Sequence, residues 1–463
     1  MMKHLLTLLA AALPLLATAQ NPALTTFPVG NSTVTVSAVA NNLDTVWELL
    51  WGPDDFLWMT ERYGRISRVD PATGQVQPLL TIADVRETGE SGLLGMVLHP
   101  DFSTNPYVYV VYNYLDNNVL KEKLVRYTYS ATAGTLTAPL VLLGNIAAAS
   151  THSGSRLLIL PDRTLLMTTG DAQQQPQAQN PASLNGKILR LNLDGTIPAN
   201  NPTPGSAVYT LGHRNPQGLV QLANGRIYSS EHGPTTDDEI NLIEPGRNYG
   251  WPNVAGYCDQ AAEQAFCTAN NVREPITAWT PTIAPAGLTY YDHPAIAGWR
   301  GSLLLTVLKN SQLTQVALDA TGQSVVGRTN FLSGFGRLRA VCVSPQGLVY
   351  VGTSNRDGRA TPGPLDDRIL VLENRAYQPT ATRAATGAAA FALFPNPARQ
   401  QATVRLNAPA TTLIVRDLLG REVLTARPDG LETVLNLSGL GAGNYLVQAT
   451  GPAGTATRKL LVE

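Results

Sequence analysis

The chain of 463 residues carries 33 lysine and arginine residues against 34 aspartate and glutamate residues, so its formal net charge at pH 7 is −1. This balance gives no electrostatic reason to expect nucleic acid as a partner. The length exceeds what one small hydrophobic core usually serves, so we expect two or more domains. Only 14% of the residues are charged, and the abundance of Thr, Asn, Gln and Gly suits a β-rich exported protein.

The first residues, MMKHLLTLLAAALPLLATAQ, have the three parts of a secretory signal peptide. A short basic region with Lys3 and His4 precedes an apolar stretch from Leu5 to Leu16, and small residues follow it. The apolar stretch is too short for a membrane-spanning helix. We therefore predict a signal peptide over residues 1–19 and no stable membrane span elsewhere.

A turn followed by a short β-branched or aromatic strand recurs six times. Apolar residues alternate with a period of two, and no long amphipathic helix is evident. Each copy alone would expose sheet edges and an apolar face, and radial stacking of six copies removes both problems. We therefore predict an all-β fold in which residues 28–375 form a six-bladed β-propeller. The copies are WGPDDFLWMTE, HPDFSTNPYVYVVY, LPDRTLLMTTGD, LANGRIYSSE, GWRGSLLLTVL and SPQGLVYVGTS, beginning near Trp51, His99, Leu160, Leu222, Gly298 and Ser344.

The stretch STHSGSRLLILPD places His152 in a loop of small residues just before a strand. Asp171 ends the second strand of the same hairpin, so we expect it to return near His152. A histidine beside a buried carboxylate is a candidate general base, because the carboxylate fixes the tautomer and stabilises the imidazolium. A lone histidine is more often structural, and that alternative stays open here.

Two further loops carry polar residues at high density. The turn YTLGHRNPQGL contains Arg214 and Asn215, and its polar groups serve either a connection between sheets or a site. The stretch SEHGPTTDDEINLI, together with Asp259 further on, offers carboxylates and turns that expose carbonyl oxygens. Such oxygens suit calcium, although the spacing is not that of an EF-hand. A solvated acidic turn is the simpler alternative for Asp237 and Asp238.

Three cysteines complete the candidate chemistry of this part. Cys258 and Cys267 lie close together in one loop. They form a disulfide in an oxidising compartment or remain free, and the sequence does not decide between these states. Cys342 lies in the alternating strand RAVCVSP, which favours a buried core thiol. These spacings do not make a zinc site.

A stretch rich in Ala and Thr, residues 376–390, is typical of a linker. The short strands after it, over residues 391–463, predict a small C-terminal β-sandwich. The motifs FPNP, DLLGREV, LSGLGAGNY and the terminal KLLVE resemble the sorting domain of the type IX secretion system. This resemblance implies export through the periplasm, the type IX secretion machinery as a partner, and a location outside the cell or on its surface.

The motifs of the predicted propeller resemble, in the same order, the soluble PQQ-dependent glucose/aldose dehydrogenases. The resemblance rests on LLWGPDDFLWMTERYGRISRVDP, GESGLLGMVLHPDF, GKILRLNLDGTIPANNP, YTLGHRNPQGL and SEHGPTTDDEINLIEPGRNYGWPNVAGY. It implies PQQ and Ca²⁺ as cofactors and an aldose sugar as substrate. The sugar C1 hydroxyl would be oxidised to a lactone by hydride transfer to PQQ, and an external acceptor would take the electrons.

The resemblance also implies roles for individual residues. His152 matches the base and Asp171 the acid that supports it, while Arg214 and Asn215 match groups near the quinone. Further PQQ contacts match Thr282, Lys309, Arg337 and Arg339, and a tricarboxylate needs such fixed positive charge. Gly233 and Pro234 match the carbonyls that hold the catalytic calcium. Ligands of a structural calcium match Glu239, Tyr249, Ala255, Tyr257 and Asp259.

Three positions depart from the glucose enzymes. Glu90 stands where they have a glutamine beside the substrate, and a carboxylate there alters the hydrogen bonds to the sugar. His232 also replaces a glutamine, just before Gly233. The loop after Asp171 is shorter, so Gln179 is only a weak match. Glucose itself is therefore not implied.

Two other functional classes remain to be separated from a dehydrogenase. One is a non-catalytic extracellular propeller that binds a carbohydrate or protein partner, since fold alone does not fix function. The joint presence of His152, Asp171, Arg214 and Lys309 argues against it. The other is a propeller lactonase or another calcium hydrolase, which would need acidic ligands that converge on the channel. Here the carboxylates cluster in one loop.

Overall fold

The computed structural model of the chain describes residues 21–378 and 391–463, apart from residue 408, residues 418–419 and residues 452–453. The predicted signal peptide and most of the predicted linker lie outside the described residues. The chain divides into two compact units, of which the first ends at Tyr377 and the second begins at Gln378. Strands dominate both units, so the fold is all-β as predicted.

In its described part the first unit consists of antiparallel sheets with short connections. β3–β6, β7–β10, β11–β14, β15–β18 and β19–β22 each form one four-stranded sheet in chain order, and a sixth sheet has the order β1-β2-β25-β24-β23. The strands are β1 (Ala23–Val29), β2 (Ser32–Ala40), β3 (Val46–Trp51), β4 (Leu57–Glu61), β5 (Arg65–Val69), β6 (Val76–Thr81), β7 (Leu93–Leu98), β8 (Tyr107–Asp116), β9 (Val119–Ser130), β10 (Thr135–Ala147), β11 (Gly154–Ile159), β12 (Thr164–Thr169), β13 (Lys187–Asn192), β14 (Val208–Leu211), β15 (Pro216–Gln221), β16 (Ile227–Glu231), β17 (Asp238–Ile243), β18 (Thr277–Trp279), β19 (Pro285–Tyr291), β20 (Ser302–Val307), β21 (Gln312–Leu318), β22 (Val325–Phe331), β23 (Leu338–Val343), β24 (Val349–Thr353) and β25 (Ile369–Glu373).

The inner strands of these sheets are arranged in a closed ring. β3, β7, β11, β15, β19 and β23 contact one another in that order, and β23 contacts β3. Each of the six sequence copies lies in a different sheet. In every sheet the copy begins at the turn between the inner strand and the strand that follows it. The repeat therefore marks one recurring turn of the architecture.

The sheet that closes the ring joins the two ends of the first unit. β2 pairs with β25, and β1 pairs with β2 at the edge of the sheet. β1 begins at Ala23, ahead of the predicted start of the domain at residue 28. It contains Pro28, which an edge strand tolerates because one side of it needs no ladder hydrogen bonds. The apolar core lies between neighbouring sheets, where Trp58 of β4 packs in one cluster with Val110 of β8.

The described part of the first unit contains one α-helix and two short 3-10 helices. The α-helix α1 (Ala261–Asn270) has no buried residue, and the 3-10 helices span Gln175–Ala178 and Pro294–Trp299. A disulfide joins Cys258 to Cys267 and so ties α1 to the loop before it. Cys342 is buried and free, as predicted.

The second unit contains two sheets that share one apolar core. One sheet has the order β26-β27-β30, and the other has the order β29-β28-β31-β32. Buried residues from both sheets, such as Val404 and Val447, lie in the same cluster. The strands are β26 (Phe391–Phe394), β27 (Gln401–Leu406), β28 (Thr412–Arg416), β29 (Glu422–Ala426), β30 (Glu432–Asn436), β31 (Gly443–Gly451) and β32 (Gly454–Val462).

Candidate active site

His152 and Asp171 lie side by side at one end of a β-hairpin. His152 precedes β11, and Asp171 follows β12. The strands pair with Gly154 opposite Thr169, so the start of β11 meets the end of β12 at one edge of the sheet. Nδ1 of His152 lies 2.8 Å from Oδ1 of Asp171. The structure therefore brings these two predicted residues together.

The surroundings of Asp171 fix the tautomer of the His152 ring. Its carboxylate is buried and also accepts hydrogen bonds from Nε1 of Trp251 at 2.9 Å and the backbone N–H of Gln173 at 2.8 Å. Burial opposes ionisation, but the bond and charge of His152 and the Trp251 indole hold the pKa of Asp171 below its usual value. Since an ionised carboxylate only accepts, Nδ1 carries a hydrogen, and the tautomer that results leaves the lone pair on Nε2. This tautomer is the one that a general base needs.

Glu90 links the backbone of His152 to a cation. His152 has φ of 63°, a left-handed conformation that a non-glycine residue adopts at a cost of about 1–3 kcal/mol. Its N–H donates to Oε2 of Glu90 at 3.3 Å, while Oε1 lies 3.2 Å from Nη2 of Arg359. Burial would raise the pKa of Glu90, but its electrostatic interactions with His232 and Arg359 and this N–H hold it below the usual value. Glu90 is therefore a carboxylate that helps to hold the loop of His152.

Arg214 and Asn215 lie on the adjoining loop between β14 and β15. The guanidinium of Arg214 lies 5.4 Å from the centre of the Trp251 ring and donates to the carbonyl of His232 at 3.3 Å. Its Nε is buried and has no hydrogen-bond partner within the described residues. Oδ1 of Asn215 accepts from the N–H of Gly154 at 3.1 Å. Asn215 therefore ties its loop to the start of β11.

A cavity of about 290 Å³ opens beside these residues, where the inner strands begin. Five cationic and two anionic side chains line it, which gives a formal charge of 5 − 2 = +3 with His232 neutral. Glu90 both lines the cavity and contacts His152, so the His152–Asp171 pair adjoins it. The cations are Arg62, Lys309, Arg337, Arg339 and Arg359, and the carboxylates are Glu90 and Asp357.

The cations of the cavity differ in how firmly they are held. Arg337 and Arg339 both contact Oδ2 of Asp357, at 2.7 and 3.5 Å. Arg339 is buried, and this lowers its pKa to about 10. Nζ of Lys309 donates to Oγ1 of Thr282 at 3.1 Å, which brings those two predicted residues together.

His232 stands between this cavity and a smaller one. Its Nε2 lies 2.7 Å from the carbonyl oxygen of Pro285, which only accepts, so Nε2 carries a hydrogen. Burial lowers the pKa of His232, and the ring is therefore neutral at pH 7. The glutamine-to-histidine departure thus adds no charge.

Several cavity residues were not identified from the sequence. Arg62 follows β4, and Asp357 and Arg359 follow β24. All three leave the sheets at the edge that carries the predicted site. The charged run SNRDGR, directly after a strand, could have indicated Asp357 and Arg359 as site residues, because strand ends at one face of a ring of sheets converge.

The smaller cavity, of about 10 Å³, collects most of the residues predicted to bind calcium. Gly233, Pro234, Glu239, Tyr249 and Ala255 line it. Burial and the charge of Glu231 raise the pKa of Glu239 to about 8. Within the described residues, no group of three or more His, Cys, Asp or Glu side chains is arranged to hold a metal. A metal here would therefore depend on backbone oxygens.

The two aspartates before Glu239 have separate tasks. Oδ1 of Asp238 accepts from the N–H of Gly233 at 2.8 Å, and Oδ2 accepts from that of Ala284 at 2.7 Å. Asp238 is buried and ties the loop to the start of β19. Oδ1 of Asp237 accepts from Oγ1 of Thr280 at 2.8 Å. The solvated-turn alternative is therefore wrong for Asp238, which is buried and hydrogen-bonded.

The predicted residues Tyr257, Asp259 and Gln179 line neither cavity. Tyr257 is 42% exposed and Asp259 is exposed, and neither lines the smaller cavity. Both amide ends of Gln179 are engaged by Asn248, at 2.8 and 3.0 Å, so the side chain holds a loop. The structure does not bring these three residues to the His152–Asp171 pair.

Comparisons with known proteins match both units of the chain to described families. The family model described as glucose/sorbosone dehydrogenase matches residues 43–365. This chain belongs to the glucose/sorbosone dehydrogenase family. The secretion system C-terminal sorting domain family matches residues 392–463. No helix among the described residues is long and apolar enough to cross a membrane.

Individual relatives of this family member are similar over most of the first unit. Quinoprotein glucose dehydrogenase B of Acinetobacter calcoaceticus is 33% identical over 402 residues, covering 68% of this chain and 84% of that protein. Aldose sugar dehydrogenase YliI of Escherichia coli is 28% identical, and the match covers 71% of this chain and 92% of that protein. The solved PQQ-bound aldose sugar dehydrogenase of Streptomyces coelicolor is 34% identical with a TM-score of 0.65. This match covers 75% of this chain and 99% of that one.

Proposed function

We propose that the protein is an exported, calcium- and PQQ-dependent dehydrogenase that oxidises the C1 hydroxyl of aldose sugars to lactones. The observation that carries this proposal is the His152–Asp171 pair beside a cavity with a formal charge of +3. We further propose that the six sheets are the blades of a β-propeller over residues 28–375, and that residues 391–463 form a β-sandwich.

The cavity fits PQQ by charge and by donor chemistry. PQQ carries three carboxylates, which match the net charge of the lining residues. Guanidinium and ammonium groups bind carboxylates through charge-assisted hydrogen bonds. We assign Lys309, Arg337 and Arg339 to this binding, with Thr282 beside Lys309. The unpaired, buried Nε of Arg214 adds a donor that a quinone oxygen would satisfy.

The residues of the chain prepare the sugar for oxidation. Nε2 of His152 takes the proton from the C1 hydroxyl, and the ionised Asp171 stabilises the imidazolium that results. Arg214 supplies positive charge where negative charge develops. PQQ, when bound, supplies the quinone that accepts the hydride from C1. Glu90 shapes the sugar-binding edge and holds the N–H of His152.

Calcium fits the smaller cavity through oxygen atoms. We propose that the carbonyls of Gly233 and Pro234 hold one ion, and that Glu239, Tyr249 and Ala255, which line the same cavity, contribute to a structural site. Oδ1 of Asn241 is buried without a partner in the described part, and Nδ2 of Asn241 donates to Glu239 at 2.8 Å. An unpaired amide oxygen beside a carboxylate is a donor set that calcium accepts.

The second unit is proposed to direct export. Its match to the sorting-domain family supports passage through the periplasm and the type IX secretion machinery to the surface or the medium. The predicted signal peptide, which lies outside the described residues, would supply the first step. The acceptor that takes electrons from the reduced enzyme lies outside the cell envelope in this scheme.

The test is reconstitution of the apo-protein. We expect equilibrium dialysis with Ca²⁺ to show one bound PQQ per chain, and a panel of aldoses to reduce an artificial dye with a lactone as product. Addition of a calcium chelator should abolish the reduction. Absence of PQQ binding would refute the proposal, whereas PQQ binding without oxidation of any aldose would refute the substrate class.

A further inference from the structure

Lys187, the first residue of β13, is buried completely, and its ammonium binds backbone oxygens. Nζ donates to the carbonyls of Gln177 at 2.7 Å, Ala178 at 3.0 Å and Asn185 at 2.7 Å. No carboxylate pairs with it among the residues that the structure describes. An ammonium has three N–H donors and no acceptor, so these three oxygens satisfy it fully. The arrangement is that of a small cation held by carbonyls.

An ammonium at this place is costly for the fold. The two residues that follow in β13, Ile188 and Leu189, are buried and apolar. Burial of a charge without a counter-ion disfavours the charged form, and here it lowers the pKa of Lys187 to about 7. An apolar side chain would avoid this cost but would remove one donor from each of the three carbonyls, of which those of Gln177 and Ala178 keep a backbone N–H. The charge therefore serves the loops that supply those carbonyls.

The loops held by Lys187 are those that carry the reactive residues. The carbonyls of Gln177, Ala178 and Asn185 belong to the loop between β12 and β13, of which Asp171 is the second residue. The same Ala178 carbonyl accepts the N–H of Gly212 at 3.0 Å, and Gly212 opens the turn that carries Arg214. The N–H of Asp171 in turn donates to the carbonyl of Arg214 at 2.9 Å.

We propose that Lys187 is a positioning residue of the active site, an internal cation that fastens the Asp171 loop to the Arg214 loop. The catalytic part of this inference rests on the proposed dehydrogenase function, while the structural part does not. Lys187 lines neither of the two cavities. It acts by keeping Asp171 beside His152 and Arg214 beside Trp251. The two loops also meet through other backbone hydrogen bonds, from His213 to Gly186 at 3.1 Å and from Asp171 to Arg214, so Lys187 supports one of several links between them.

Hydrogen–deuterium exchange of the apo-protein tests the structural part. Lys187→Met keeps the length of the side chain and removes its three donors. We expect the amide of Gly212 and those of residues 172–186 to exchange at least about tenfold faster, with β19–β22 unchanged. Lys121→Met, on β9 in another sheet, makes the same chemical change and should leave both regions unchanged. Equal exchange in Lys187→Met and wild type, or a uniform increase across all sheets, would overturn the proposal.

If Lys187→Met does not fold, hydrogen–deuterium exchange of the wild-type protein tests the same link. The amide of Gly212 should then exchange as slowly as the amides of β13 in the wild-type apo-protein. Exchange of the Gly212 amide at the rate of an exposed loop would contradict the proposed link between the two loops.

Steady-state kinetics tests the catalytic part. For Lys187→Met reconstituted with PQQ and Ca²⁺, we expect kcat to fall about a hundredfold, because small displacements of reacting groups are costly. KM and the dissociation constant of PQQ should change less than about threefold, since the cavity cations lie on other sheets. A rise in KM with unchanged kcat would overturn the catalytic part. If no aldose is oxidised even by the wild type, the proposed function fails while the exchange result still stands.

Discussion

Replacement of Asp171 by asparagine tests the central pair of the site with little change of volume. The Asp171 carboxylate accepts all three of its hydrogen bonds. Oδ1 accepts from Nδ1 of His152 and the N–H of Gln173, and Oδ2 accepts from Nε1 of Trp251. An asparagine amide offers one oxygen and one NH₂ group. Its NH₂ therefore faces either the Trp251 indole or the His152 ring, and neither orientation satisfies all three donors.

The structure sets the size of the expected effect. With the amide oxygen toward His152, the buried indole N–H loses its acceptor, at a cost of about 1–3 kcal/mol in the free energy of unfolding. Loss of the charge-assisted bond to His152 removes about 1.5–3 kcal/mol of support for the imidazolium. This corresponds to a fall in kcat of about 10- to 150-fold. In the flipped orientation the histidine changes its tautomer, and the fall is larger.

The assay is dye reduction at saturating aldose, with the melting temperature measured on the same samples. Asp116→Asn, at the last residue of β8 beside an exposed turn, is the matched control and should change neither quantity. Asp171→Asn should bind PQQ with nearly wild-type affinity, because Asp171 does not line the cavity. A kcat within about twofold of wild type, with PQQ bound, would refute the role of Asp171 in supporting His152.

Three further changes probe the surroundings. Glu90→Gln keeps an acceptor for the N–H of His152 but removes the charge opposite Arg359, which is 59% exposed. It should cost less than about 1 kcal/mol in the free energy of unfolding and change the order of KM values across aldoses. A fall in kcat like that of Asp171→Asn would contradict this. Lys309→Met should weaken PQQ binding about tenfold in equilibrium dialysis through loss of one charge-assisted bond. Unchanged affinity would remove Lys309 from the PQQ site. Burial raises the pKa of Glu122 from 4.5 to about 8. The folded protein therefore holds a proton that the unfolded chain releases, and stability falls as the pH rises from about 5 to 8. Glu122→Gln should flatten this fall in chemical denaturation series, and an unchanged slope would assign it to other groups.

Local sequence patterns predicted the parts of the fold that depend on local chemistry. The six turn-and-strand copies mark the turn after the inner strand of each sheet, because that turn recurs and is built each time on Pro, Asp, Asn or Gly. The hairpin of β11 and β12 similarly predicted that Asp171 returns to His152. In both cases the residues are close in sequence, so strand alternation and turn residues suffice to relate them.

Contacts between distant segments were not accessible in the same way. β1 begins at Ala23, ahead of the predicted residue 28, and the pairing of β2 with β25 depends on a ladder between the two ends of the first unit. Asp357 and Arg62 reach the cavity from different sheets. The tasks of Asp238 and Glu239 differ although they are adjacent, because successive residues of a strand point to opposite faces. Only the three-dimensional arrangement separates such neighbours.

The most direct test of the central claim is an anaerobic single turnover of the reconstituted protein. Wild-type protein loaded with PQQ and Ca²⁺ is mixed with excess aldose without an external acceptor, and the PQQ absorption is followed. We expect one equivalent of PQQ to be reduced per chain, whereas His152→Ala should bind PQQ and remain oxidised, and His293→Ala should behave as wild type. Reduction at the wild-type rate in His152→Ala would contradict the assignment of His152 as the base. A wild-type protein that binds PQQ and remains oxidised with every aldose would contradict the proposed function.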